Sequence, residues 1–231
     1  MKKLFFRFDF SPKIKKFLTT LHNTQEQAIL WIIRQLLPFL FPRHCPLCDK
    51  LLPYGSFIHE ECHRELPLIH SPVCMRCGKP VSSHTQEYCY DCRAFPKSFQ
   101  RGLSLFLYNK KTRPIMSAFK YQNRRGLADF FCQELCRYRL SQLRDLGADA
   151  VIPVPIHKNK YKKRGYNQAE VFGRALSKET GIALDDKCII RKKSTVPQKK
   201  LSNEMRKINL QKAFGVDRKI CSEYKTVLLV D

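Results

Sequence analysis

The chain has 231 residues, enough for one or two domains, and 43% of them are apolar, which excludes a chain too polar to build a core. Its 43 Lys and Arg against 20 Asp and Glu leave a formal net charge of +23. A field of that size draws polyanions: nucleic acid, nucleotide phosphates or an anionic membrane surface.

Residues 1–27 mix Phe with Lys and read as a lead-in or a short amphipathic helix. Lys2 and Lys3 imitate the start of a signal peptide, but Arg7 and Asp9 interrupt the apolar run that follows. Residues 28–41 are apolar yet too short to span a bilayer. Ile29, Ile32, Ile33, Leu36 and Leu37 recur at helical spacing, so a helix is expected there, ended by Pro42. It either packs on the rest of the protein, with Trp31 beneath the next segment, or makes peripheral contact with a membrane.

From Cys45 to Cys92 one pattern is written twice. Cys45 and Cys48 form a first pair, followed by His59 and Cys62; Cys74 and Cys77 form the next, followed by Cys89 and Cys92. A two-residue gap lets one tight turn present two ligands, and Zn²⁺ takes four in a tetrahedron. The expectation is two structural zinc ions, one on three thiolates and an imidazole, the other on four thiolates. His44 and His63 also flank ligand cysteines, but the spacing favours His59. Disulfides or a redox pair fit tandem pairs less well. Neither site keeps an open position for metal catalysis.

Beyond the ribbons, residues 103–108 read as a strand, 112–119 as a short helix and 127–146 as a longer one closed by Gly147. Residues 150–154 read as a buried parallel strand. Residues 157–165 read as a very basic loop carrying Lys158, Lys160, Lys162, Lys163 and Arg164, with Tyr161 and Tyr166 available for base stacking. Asn167 is the expected N-cap of a helix to Thr180, with Gly181 after it. A strand is expected near 188–190, then a second basic run with Lys192, Lys193, Lys199, Lys200, Arg206 and Lys207, and a buried strand at 225–231 ending in Asp231. The order describes an α/β body with a mostly parallel sheet, whose ligands bind beyond the carboxyl ends of the strands. The basic segment after Val154 and the acid Asp231 both fall at such ends. Either basic run is also readable as a solvated surface. Cys132, Cys136, Cys188 and Cys221 are left over as free thiols, which with the thiolate ligands points to the cytoplasm.

The chain resembles the ComF family of competence-associated proteins. The likeness runs from about residue 41 to 231 and is carried by the ribbon pattern, by Phe119-Lys120-Tyr121, Val151-Ile-Pro-Val-Pro155 and Arg164-Gly165-Tyr166-Asn167-Gln168, and by Thr195-Val-Pro-Gln198, Leu201-Ser202, Arg206, Asn209-Leu-Gln-Lys-Ala-Phe214 and Val227-Leu-Leu-Val-Asp231. The resemblance implies an N-terminal double zinc ribbon followed by a type I phosphoribosyltransferase-like parallel-sheet domain. It implies a link to natural transformation and the handling of incoming single-stranded DNA, in company with other competence proteins. The expected division is a lead-in and amphipathic helix at 1–42, the ribbons at 43–95 and the phosphoribosyltransferase-like domain at 99–231.

Enzymes of that fold bind 5-phosphoribosyl-1-pyrophosphate with Mg²⁺, and on this chain Asp231, Arg164 and Lys163 are the residues the resemblance assigns to that ligand. The sequence stops at Asp231, before a second acid and the phosphate loop, so the expectation is a domain truncated at its C-terminus and without transferase activity in this form. Three readings follow: a competence protein that contacts single-stranded DNA or nucleotide phosphates through Lys158, Lys160, Lys162, Arg164, Asn167, Lys199, Lys200 and Arg206; a phosphoribosyltransferase active only in a longer form; or a zinc-ribbon module for protein partners.

Overall fold

The computed structural model describes residues 42–95, 97–195, 201–211 and 213–231. The expected helix over 28–40, Trp31, Gln198, Lys199 and Lys200 lie outside these residues, as does the side chain of Arg206.

The two ribbons are built alike. In the first, Cys45 N–H donates to Lys50 O (2.8 Å); in the second, Cys74 N–H donates to Lys79 O (2.7 Å). Asp49 (φ +62°) and Gly78 (φ +72°) occupy the same left-handed position, four residues after the first cysteine of each unit. The second ligand pair of each unit opens a one-turn helix. His59 is the N-cap of α1 (Glu60–Arg64) and Cys89 that of α2 (Tyr90–Ala94). Both ligands of the pair therefore lie on the first turn of a helix, three residues apart and on one side.

Residues 103–108, expected as a strand, form only an isolated bridge and lie outside the main sheet. They run extended beside residues 67–69, with an antiparallel bridge between Leu68 and Phe106 and bonds from Ile69 N–H to Leu105 O and from Leu107 N–H to Pro67 O. The segment fastens the ribbons to the body instead. Next come α3 (Thr112–Tyr121) and α4 (Leu127–Arg144), which agree with the predicted helices to within two residues.

The sheet is formed by β1 (Ala150–Pro153), β2 (Ala183–Leu184) and β5 (Val227–Val230), in the order β2-β1-β5 and all parallel. Between β1 and β2 run α5 (Lys158–Arg164) and α6 (Gln168–Thr180). An antiparallel pair, β3 (Ile189–Arg191) and β4 (Phe214–Val216), flanks α7 (Asn203–Leu210), and α8 (Arg218–Cys221) leads toward β5.

Alternation along β1 explains the layering. Val151 faces a core with Cys132, Leu143, Ala169, Leu176 and Val230, supplied by α4, α6 and β5. Ala150 and Ile152 face the other way, toward Cys188, Ile189, Ile220 and Tyr224. The predicted burial of β1 on both faces is thus observed. The expected burial of β5 is not: Val227 and Leu229, which pair with Ala150 and Ile152, are 44% and 56% exposed. Among the described residues, the layer that covers β1 on this face does not reach over β5.

Two further expectations are corrected. The basic stretch after residue 157 is not a loop but the helix α5, whose N-terminus is capped by the His157 ring accepting from Asn159 N–H (3.2 Å). And Cys188 and Cys221 are not free thiols but a disulfide, formed because β3 and α8 meet behind the sheet. Cys132 and Cys136 are free, Cys132 buried in the core. No helix among the described residues is long and apolar enough to cross a membrane.

Candidate metal centres and basic face

The ligand atoms of Cys45, Cys48, His59 and Cys62 lie within 4.8 Å of one another, as do those of Cys74, Cys77, Cys89 and Cys92. His59 is the imidazole of the first group. Its Nδ1 is 3.4 Å from Cys48 Sγ, while its Nε2–H donates to Leu51 O at 2.9 Å. That second bond fixes the tautomer and leaves the Nδ1 lone pair for a metal. The other two candidates are engaged elsewhere: His44 Nδ1 bonds Asp49 O (2.7 Å), and His63 Nε2 bonds the Glu134 carboxylate (2.7 Å).

The donor sets fit zinc. Bonds of about 2.0–2.3 Å in a tetrahedron put neighbouring ligands about 3.3–3.8 Å apart, and Cys48 Sγ to His59 Nδ1 (3.4 Å) and Cys77 Sγ to Cys89 Sγ (3.6 Å) fall in that range. The electrostatics agree. Burial opposes ionisation of Cys45, yet the backbone N–H groups of Cys48, His59 and Leu47 outweigh it and draw the thiol down to about 6. Cys74 follows the same logic with Cys77, Cys89 and Arg76 and also falls to about 6. Desolvation and the crowding sulfurs of their own clusters push Cys62 and Cys92 up to about 12. Each cluster alone thus carries one easily formed thiolate and at least one thiol that resists ionisation. A dication at the centre reverses that resistance.

The first ribbon is bolted to the body beside these ligands. Asp49 pairs with Arg124, Glu65 with Lys111 (3.0 Å) and Arg43 with Asp129 (3.6 Å). Glu134, 1% exposed, receives His63 and Arg137, and Phe57, Leu47 and Leu66 join a core with Phe106, Phe119 and Phe130. Burying a carboxylate on α4 is tolerable because two donors from the ribbon side and its own helix meet it.

The second candidate region is the carboxyl end of the sheet. Val154 N–H donates to Val230 O (2.7 Å), so the chain leaving β1 and Asp231 emerge together. Burial lowers the pKa of Arg191 on β3, and the charge of Asp231 works against that shift. Lys158, Lys160, Lys162 and Lys163 are exposed on α5, and Arg164 lies at its last position. Gly165 then takes φ +81°, a left-handed turn that only glycine adopts without cost, and its N–H closes the helix on Tyr161 O. Arg164 donates to the Gln168 side chain, so Gln168 braces it.

Asn167 is the N-cap that the sequence predicts, whereas Tyr166 is not the open stacking surface expected. Asn167 is buried; its Oδ1 caps α6 at Ala169 N–H (3.2 Å) and its Nδ2 donates to Val154 O (3.1 Å). Its side chain is committed to joining the basic segment to the strand end, so it serves as a positioning residue. Tyr166 is 3% exposed, donates its hydroxyl to Phe119 O and lies under Arg125 (4.8 Å). It is unavailable for stacking. Tyr161 remains half exposed. Reasoning along the sequence missed the 122–126 turn, whose Arg124 grips the ribbon while Arg125 reaches Gly165 O (3.4 Å).

Residues 36–93 match the double zinc ribbon domain family. Over 191 residues, 81% of this chain and 83% of the relative, the sequence is 26% identical to DNA utilization protein YhgH of Escherichia coli. It is 29% identical to competence protein F of Haemophilus influenzae over 69% of this chain and 71% of that protein. It is 24% identical to competence protein ComFC of Bacillus subtilis over 65% and 70%. No solved structure matches the chain. The paired Cys/His clusters, the parallel sheet behind them and relatives that span both parts lead to one conclusion: the chain joins a double zinc ribbon to a phosphoribosyltransferase-like parallel-sheet body, and its similarity to the DNA utilization and competence proteins supports assignment to the ComF family.

Proposed function

We propose that this protein is a cytoplasmic competence-type protein that binds single-stranded DNA on the basic face at the carboxyl end of its sheet, with two zinc-loaded ribbons as a rigid cap. The observation that carries the reading is the position of α5: four exposed lysines and Arg164 follow directly from β1, at the edge where parallel sheets take ligands. The relatives named for DNA utilization and competence support the nucleic-acid assignment. Phosphate contacts make affinity fall with salt, at a log–log slope of about −0.7 per contact on a single strand. Replacing Lys158, Lys160, Lys162 and Lys163 with Ala should therefore flatten that slope by up to about 3. Binding that is absent, or that ignores salt, sinks the reading. The cytoplasmic assignment rests on the seven clustered cysteines, which bind metal only as reduced thiols.

A second reading places 5-phosphoribosyl-1-pyrophosphate with Mg²⁺ at the same sheet end, on Asp231, Arg164 and Lys163. It is favoured by one detail, the emergence of Asp231 beside Val154 at the strand ends. Release of pyrophosphate from that substrate by purified protein tests it directly.

A further inference from the structure

The geometry points to a nucleobase-stacking platform made by Tyr121 and Arg164, so that the basic face takes unpaired rather than duplex nucleic acid. This inference rests on the DNA-binding reading above and names how that site tells one polyanion from another.

Two segments free of acids meet here. Residues 107–128 hold no Asp or Glu, and neither do residues 150–169. The fold clamps them together: Tyr166 donates to Phe119 O, Arg125 reaches Gly165 O, and the Arg125 guanidinium covers the Tyr166 ring. At the seam, Tyr121 ends α3 and Arg164 ends α5, with the guanidinium 5.2 Å from the Tyr121 ring centre. Tyr121 is 66% exposed, whereas Tyr166 alongside is covered. Arg164 is held in place by Gln168, which is itself buried. The braced guanidinium lies over one face of this exposed ring and leaves the other face to a base, and the α5 lysines next to it supply phosphate contacts. Duplex DNA keeps its bases stacked on one another and cannot use such a surface.

The test compares fluorescence anisotropy of a labelled oligo(dT) with that of an abasic oligomer of the same length. Tyr121→Ala should weaken oligo(dT) binding about 5- to 150-fold, the range for loss of one stacked base. The salt slope and the affinity for the abasic oligomer should stay at the wild-type values, and Tyr121→Phe should bind oligo(dT) like wild type. Equal affinity of wild type and Tyr121→Ala for oligo(dT) overturns the platform and leaves the basic face standing. An equal loss on both oligomers also overturns it, because the side chain then serves the fold. Failure of wild type to bind either oligomer overturns the underlying reading as well.

Discussion

At the scale of single residues, the first metal site turns on one imidazole. His59 offers Nδ1 to the cluster and anchors Nε2 on Leu51 O, while His44 and His63 are bonded outward. His59→Ala should therefore lower the zinc content of purified protein toward one ion per chain, whereas His44→Ala and His63→Ala should leave two. Elemental analysis decides this, and equal zinc in all three variants would refute the assignment. The choice of His59 was readable because metal-ligand spacing is local. Tyr166 and Tyr121 were not distinguishable from sequence, since their exposure depends on which turn covers which ring across some forty residues. The Asp149 carboxylate accepts from Lys225 N–H (2.8 Å) and Thr226 N–H (2.9 Å), which holds its pKa below the ordinary carboxylate range. A folded value below the unfolded one means that the stability is present above about pH 4 and lost as pH falls through the folded value. Asp149→Ala should melt lower than wild type at neutral pH, with the gap closing in strong acid; a gap that persists there contradicts the linkage.

At the scale of elements, caps were legible and charge runs were not. Asn167 and Gly181 bound α6 as expected, because cap chemistry is written in adjacent residues. The run at 158–164 reads as a loop only if charge is taken for irregularity; Lys and Arg are good helix formers, and His157 and Gly165 bracket them. Removing the cap tests the junction between α5 and α6. Asn167→Ala loses the bond to Ala169 N–H and strands Val154 O, so denaturant unfolding should show a loss of about 1–3 kcal/mol. A loss below a few tenths would mean that neither bond matters. The exposure of β5 was hidden for a different reason. An apolar run reports that a strand is able to be buried, and only the extent of the neighbouring layer decides on how many sides.

Across the whole molecule, ribbons and body share a core. Phe57 and Leu66 pack with Phe106, Phe119 and Phe130, and Glu134 receives His63 from the first ribbon. Stripping zinc with a chelator should then lower the melting midpoint of the body along with the ribbons, seen as one earlier transition in calorimetry. A body transition unmoved by chelation would show the two parts to be energetically separate. The second ribbon also meets the chain at Ser104, whose hydroxyl donates to Cys77 O (3.0 Å), and that approach needs glycine: a Cβ on Gly78, at φ +72°, would sit 2.9 Å from Ser104 N, a backbone atom that cannot step aside.

The bond between Cys188 and Cys221 closes a ring of chain, 33 residues in separation, around β3, α7 and β4. A single protease cut inside that ring, for instance after the exposed Lys193, would produce two fragments that still migrate as one band until a thiol reagent is added. Electrophoresis of nicked protein with and without dithiothreitol would report, band by band, which oxidation state a given preparation carries.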